Sequence, residues 1–190
     1  MSEALYPVLQ GLEIALRNSI HAAATLHYQS ERWFTMIPSV LDPREQERVR
    51  QATASLMDRG KSREPGRVVA ELTFGFWTSL LDVRYEQVLW PVLLRAAFPH
   101  MPRRIRTRHY LSGHLNAIRR LRNRVFHHEP VWYLPDLQQQ HAQICEAIRW
   151  ISPPYLQLTR SLDRFPDVLA TGDTLYRQAL LRALVAPDPV

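Results

Sequence analysis

Ser2 to His21 reads SEALYPVLQGLEIALRNSIH, and its spacing decides the class of fold. Leu5, Val8, Leu9, Leu12, Leu16 and Ile20 recur at three- and four-residue intervals, which is the repeat of a helix with one apolar face, so a helix is expected from Ser2 to His27. Glu13, Arg17 and His21 fall four residues apart on a second face, where side chains one turn apart meet. The same periodicity runs through nearly the whole chain, and no segment sustains the two-residue alternation of a strand. An all-α bundle is the expected class.

Working outward, Asp42-Pro43-Arg44-Glu45 combines an N-cap with a proline in the first turn and starts a second helix, expected to end near Gly60. Lys61 to Gly66 reads as a loop. Arg67 to Leu81 is apolar nearly all round, which predicts one helix packed on several sides at the bundle's centre, with Gly75 on its contact face admitting a neighbour closely. Phe74, Phe76 and Trp77 sit at core spacing. A short helix from Pro91 to Phe98 and a long one from Arg106 to His128 follow. Asp136 should cap a helix to Ile151, which Pro153 and Pro154 break, and helices from Tyr155 to Arg164 and Asp173 to Val185 close the chain.

The 190 residues, 46% hydrophobic and 22% charged, suffice for one globular domain with its own core. That core is expected over about 1–152, with a helical extension over about 153–190. Cys145 is the single cysteine, so no internal disulfide forms and no C-x-x-C pair offers a structural zinc site. No metal and no cofactor are expected. Met1 opens no basic and apolar leader, and the best apolar run, Val88 to Phe98, is interrupted by Pro91 and Arg95 and is too short for a bilayer. The expected location is the cytoplasm, without a membrane partner.

The formal net charge is +6, and Lys61 is the only lysine. Between Gln87 and His128 there is no acidic residue, yet the stretch holds Arg95, Arg103, Arg104, Arg106, Arg108, Arg119, Arg120, Arg122 and Arg124. Nine positive charges in one segment of a +6 chain leave −3 for the remainder. Such a patch suits a phosphate backbone; a solvated arginine-rich face is the plainer reading, and charge alone leaves DNA open as a partner.

At the end of that segment Arg122 to Val131 reads RNRVFHHEPV. Arginine is a permanent cation that forks onto phosphate, and histidine exchanges protons near neutral pH. Together they suit phosphodiester chemistry without a metal. On a continuing helix Asn116, Arg120, Asn123 and His127 share a polar face, while Arg122 lies about 140° from His127. The two converge if the last turn unwinds before Pro130 or if a second copy supplies one of them.

RNRVFHHEP resembles the R-x(4 to 6)-H signature of the HEPN superfamily, in the form found in its Abi-like (abortive infection) branch. The resemblance extends to the Ser2–His21 block, with Glu13, Arg17 and Asn18 as an E-x-x-x-R-N element, and to LTFGFW at Leu72 to Trp77. These three ordered blocks cover roughly the first 130 residues. Members of the family usually carry a further N-terminal stretch before the SEALY segment, where this chain begins.

The resemblance implies a HEPN-like helical bundle with additional C-terminal helices. It also implies a homodimer whose two motifs meet in one cleft, and a metal-independent endoribonuclease acting as a toxin or phage-defence effector. An antitoxin protein or small regulatory RNA would restrain it. His127 would be the acid or base, with His128 as second candidate; Arg122 would stabilise transition-state charge, and Asn123 would orient the histidine or the phosphate. Glu13, Arg17 and Asn18 are expected to support the site as a polar network. RNA binding is expected of Arg103, Arg104, Arg106, Arg108, Arg119, Arg120 and Arg124. Trp132 and Tyr133 are read as packing residues first and as a base-stacking platform second. The alternatives are a HEPN-type module that binds RNA without cutting it and a helical DNA-binding regulator.

Overall fold

The computed structural model describes residues 1–172 together with Thr174, Gln178, Leu181 and Arg182. The helices found there are α1 (Tyr6–Tyr28), α2 (Pro43–Asp58), α3 (Pro65–Glu71), α4 (Phe74–Ser79), α5 (Trp90–Ala97), α6 (Arg108–Phe126), α7 (Leu137–Ile151), α8 (Pro153–Ser161) and α9 (Phe165–Thr171), joined by short turns of 3₁₀ helix. The fold is all-α, and no strand occurs among the described residues. Of the helix expected at Asp173 to Val185, Thr174, Gln178, Leu181 and Arg182 are helical, and its other residues lie outside those described. No helix among them is long and apolar enough to cross a membrane.

The bundle is organised around α1, against which α3, α4, α5, α7 and α8 all pack. Its buried residues, Val8, Leu9, Leu12, Leu16, Ile20 and Ala24 among them, spread over more than one face, as a central helix requires. Small residues set the closest approach. A Cβ placed on Gly11 would stand 2.9 Å from Cγ2 and 3.0 Å from Oγ1 of Thr159 on α8, so a glycine is what lets α8 lie directly on α1. Consequently α8 packs directly on the bundle, with Leu156 and Thr159 buried.

The single helix expected from Arg67 to Leu81 is two. Leu72 and Thr73 adopt extended backbone angles between α3 and α4, and the Thr73 hydroxyl caps α4 by accepting from the Phe76 N–H. An apolar run buried on several sides hides such a break from periodicity alone, whereas threonine as an N-cap supplies its physical cause. Gly75 is not the close-approach position, since a Cβ there would meet only the Thr73 hydroxyl at 3.6 Å.

Capping corrects the other boundaries. The Thr107 hydroxyl accepts from the Tyr110 N–H and starts α6 there rather than at Arg106. Asp136 stands at the start of α7, but its carboxylate takes the Gln140 side chain instead of a backbone N–H. Pro153 and Pro154 do break the chain after α7, yet with Ser152 as cap they form the first turn of α8, where a missing N–H does no harm. Helix α9 forms in a segment for which no helix is expected, with Pro166 again in a first turn.

Candidate functional site

Helix α6 ends with a particular geometry. The Glu129 N–H donates to the Arg124 carbonyl at 2.9 Å and the His128 N–H to the Val125 carbonyl at 3.3 Å, the paired bonds of a Schellman ending, with His128 in the left-handed region at φ 58°. That position usually carries glycine, because a Cβ costs about 1–2 kcal/mol there. Glu129 and Pro130 then leave the helix axis. The turn carries the His128 side chain to the wall of a cavity of about 540 Å³, which Tyr6, Gln10, Glu13, Ile14, Arg17 and Phe126 also line. The last helical turn thus unwinds before Pro130, and the histidine that this brings to the cavity is His128. His127, at the helix C-cap, is exposed and does not line it.

Arg122 stands behind the cavity wall. Its guanidinium lies 4.2 Å from the Phe126 ring centroid, a cation–π stack, and its Nη2 is 3.4 Å from Glu13 Oε2. The other carboxylate oxygen, Oε1, accepts the Phe74 N–H at 3.1 Å. The break at Thr73 is what exposes that N–H, so the interruption of the apolar run gives Glu13 a helix N-terminus to hold. One carboxylate on α1 thereby ties together α4 and the last turns of α6. Tyr6 closes the same corner against Phe126, with ring centroids 5.2 Å apart.

Arg17, one turn after Glu13, donates to the Ala70 carbonyl at 3.3 Å and has no carboxylate partner among the described residues. Its Nε and that of Arg122 are both buried without an acceptor there. Glu13, Arg17 and Arg122 therefore sum to a positive charge against a cavity that also offers an imidazole. Such a place attracts an anion and can exchange a proton with it.

The remaining sequence-derived candidates disperse. Asn18 is exposed and faces a different recess, shared with Ile14, Ala15, Ser152 and Tyr155. Asn123 is exposed, and its carbonyl takes the His127 N–H at 2.9 Å. The arginines divide into three sets. Arg106 turns back onto the Met101 carbonyl with Nε at 2.9 Å, and Arg108 donates to the Leu81 carbonyl at 2.8 Å and pairs with Glu86 at 3.2 Å; both hold loops in place. Arg103, Arg104, Arg119 and Arg120 are exposed and have no ion-pair partner among the described residues. Arg124 reaches Glu129 at 3.8 Å and the Tyr133 hydroxyl at 3.5 Å.

Tyr6, Gln10 and Phe126 are cavity residues that sequence reasoning passed over. Tyr6 and Gln10 had a signal, being seven and three residues before Glu13 on the helix face of Glu13 and Arg17. Phe126 had one too, four residues after Arg122. Comparison with protein-family models, with curated proteins and with solved structures finds no match for this chain.

Proposed function

We propose that the chain is a metal-independent endoribonuclease of the HEPN type, acting as a toxin or phage-defence effector in the cytoplasm, with the α1–α6 cavity as its catalytic half-site. The observation that carries this reading is the convergence of His128, held at positive φ, with Arg17 and the Glu13–Arg122 pair around one cavity. A histidine kept in a backbone region that penalises it suggests a functional demand on the side chain.

In this reading the scissile phosphate enters the cavity and the guanidiniums balance the charge that builds on its oxygens. His128 accepts the 2′-hydroxyl proton; the 2′-oxygen attacks phosphorus and the bond to the 5′-oxygen breaks. The leaving oxygen needs a proton from a second acid, which one His128 in its basic form does not supply. A second copy of the chain in a homodimer, presenting its own motif, meets that need. The products are a 2′,3′-cyclic phosphate and a 5′-hydroxyl end. Arg103, Arg104, Arg119 and Arg120 guide the RNA backbone, and an antitoxin protein or a small RNA restrains the enzyme by covering this basic face.

The test is cleavage of end-labelled RNA by the purified protein in EDTA. The expected result is cutting that persists in EDTA, fails on RNA with a 2′-deoxy substitution at the cut site, and falls by about 10²- to 10⁴-fold in His128→Asn. Loss of cutting in EDTA with recovery on added metal would overturn the mechanism. Salt-dependent binding of RNA without any cutting would leave the non-catalytic RNA-binding reading, and equal binding of duplex DNA the regulator reading.

A further inference from the structure

A second cluster lies away from the α1–α6 cavity, where α7 meets the turn between α8 and α9. His141 and Cys145 are one helical turn apart on α7, and Asp163 follows α8. Their ligand atoms all lie within 4.8 Å of one another. His141 Nε2 stands 2.7 Å from Asp163 Oδ2 and 3.9 Å from Cys145 Sγ, so one ring nitrogen faces both an oxygen and a sulfur. Its single lone pair or N–H cannot serve the two together. We propose that His141, Cys145 and Asp163 form a three-ligand site for a divalent transition metal of the zinc class, its fourth position open to the adjoining cavity.

The geometry supports an ion at the centre of these atoms. Bonds of about 2.0–2.1 Å to nitrogen, 2.0–2.2 Å to oxygen and 2.3 Å to sulfur, arranged tetrahedrally, put nitrogen about 3.3–3.5 Å from oxygen and about 3.6 Å from sulfur. The observed nitrogen–oxygen distance of 2.7 Å is shorter than this by about 0.6–0.8 Å and the nitrogen–sulfur distance of 3.9 Å longer by about 0.3 Å, so an ion would have to draw the imidazole away from Asp163 and toward Cys145. The set is also held from behind, as metal ligands are. Asp163 Oδ1 accepts the Phe165 N–H at 3.1 Å, which leaves Oδ2 to the ion. The Phe165 ring stacks on the imidazole with centroids 4.6 Å apart, fixing its plane.

The donor set selects the class of metal. Thiolate, imidazole and one carboxylate are borderline ligands suited to zinc, whereas magnesium and calcium take oxygen. On metal entry the thiol proton leaves to solvent, and thiolate plus carboxylate neutralise the dication. A cavity of about 530 Å³, lined also by Glu146, Arg149 and Arg160, adjoins the three ligands and gives water access to the fourth position. A bound ion would tie α7 to the α8–α9 connection, which is anchored to the chain's start through Arg164 and Glu3 at 2.7 Å. The sequence offered no hint of this, because H-x-x-x-C lacks its third member until Asp163 is folded back from another element.

The test is titration of the full-length, EDTA-stripped and reduced protein with cobalt(II) and, separately, with zinc. The expected result is a thiolate-to-cobalt charge-transfer band in the near ultraviolet that saturates at one equivalent. Zinc at about 100 times Kd should raise Tm by roughly 5–10 °C. Cys145→Ser, nearly isosteric, should abolish the band, and Asp163→Asn should weaken cobalt binding at least about tenfold. A wild-type protein that gives no band with millimolar cobalt, a band that survives Cys145→Ser, or a Tm indifferent to zinc would each overturn the proposal and reduce the cluster to a His141–Asp163 hydrogen bond. The outcome is independent of the ribonuclease reading, since Cys145→Ser should cut RNA in EDTA at the wild-type rate.

Discussion

Replacing His128 with glycine should make the protein more stable and at the same time inactive. At φ 58° the His128 backbone occupies the left-handed region, where a Cβ is penalised by about 1–2 kcal/mol. Glycine removes that penalty but adds chain freedom in the unfolded state, worth about 0.5–1 kcal/mol in the other direction. The exposed side chain contributes little packing to set against this. A net gain of about 0.5–1 kcal/mol remains, which for a chain of this size raises Tm by roughly 1–4 °C. Catalysis should move the opposite way by about 10²- to 10⁴-fold, or roughly 3–5 kcal/mol of barrier. Thermal melting followed by circular dichroism and single-turnover RNA cleavage measure the two effects on the same preparation. His128→Asn, which tolerates the left-handed region but has no group that exchanges a proton near neutral pH, should be inactive at near wild-type stability. Cleavage retained in both variants would remove His128 from the mechanism. A lower Tm in His128→Gly would mean that the imidazole is kept for a contact and not for chemistry.

Gly11→Ala should destabilise by about 1–3 kcal/mol, since its Cβ would meet Thr159 Cγ2 at 2.9 Å in a packed interface. In the double variant with Thr159→Ala the alanine should become neutral or stabilising, a coupling that a double-mutant cycle in urea reads directly. Changing Arg103, Arg104, Arg119 and Arg120 together to glutamine should lower the slope of log affinity for single-stranded RNA against log salt by up to about 3, at roughly 0.7 for each phosphate that is no longer neutralised. Arg106→Gln and Arg108→Gln should lower Tm instead, because they release loop carbonyls. The Trp33 indole N–H donates to His21 Nδ1 at 3.0 Å, and burial depresses the His21 pKa below 6.5 against the opposing pull of Glu31. The stability this group contributes is present above its unfolded pKa near 6.5 and is lost as pH falls through the lower folded value. Tm should therefore drop between about pH 7 and 5 by more in the wild type than in His21→Gln, whose amide oxygen still accepts the indole.

What periodicity could reveal, it did: α1 and α6 are long enough for apolar spacing to average over local exceptions, and both follow the apolar faces expected of them, with ends displaced by a few residues at most. The errors arise where a single side chain outvotes a pattern. Thr73 splits an apolar run by capping, Pro153 starts a helix where it was expected only to break one, and Pro166 stands in the first turn of a helix that was not expected. Such residues were in plain view, but their effect depends on whether the backbone around them is already buried. The site was legible in a different way. Glu13 and Arg122 are 109 residues apart, and no spacing rule links them; resemblance nominated both, and the fold brings them within 3.4 Å.

The two adjacent histidines mark the limit of a motif read as letters. Either satisfies an arginine-to-histidine spacing, and on an ideal helix neither faces the same way as Arg122. Which of the two lines the cavity follows from how α6 stops. A Schellman ending places its C′ residue in the left-handed region and reverses the chain there, so the side chain at that one position leaves the helix surface and reaches toward α1. His127, one residue earlier, caps the helix from the solvent side. Glu13 fixes the other half of the geometry, because the broken run at Thr73 offers it a free N–H and Arg122 offers it a cation. The features that periodicity handled worst, a helix end and a helix break, are the ones that assemble the cavity. On the proposed ribonuclease reading, a half-site built from these interruptions would leave to a second copy what one chain lacks, and the helix end that presents His128 is exposed, where such a copy could present the same turn.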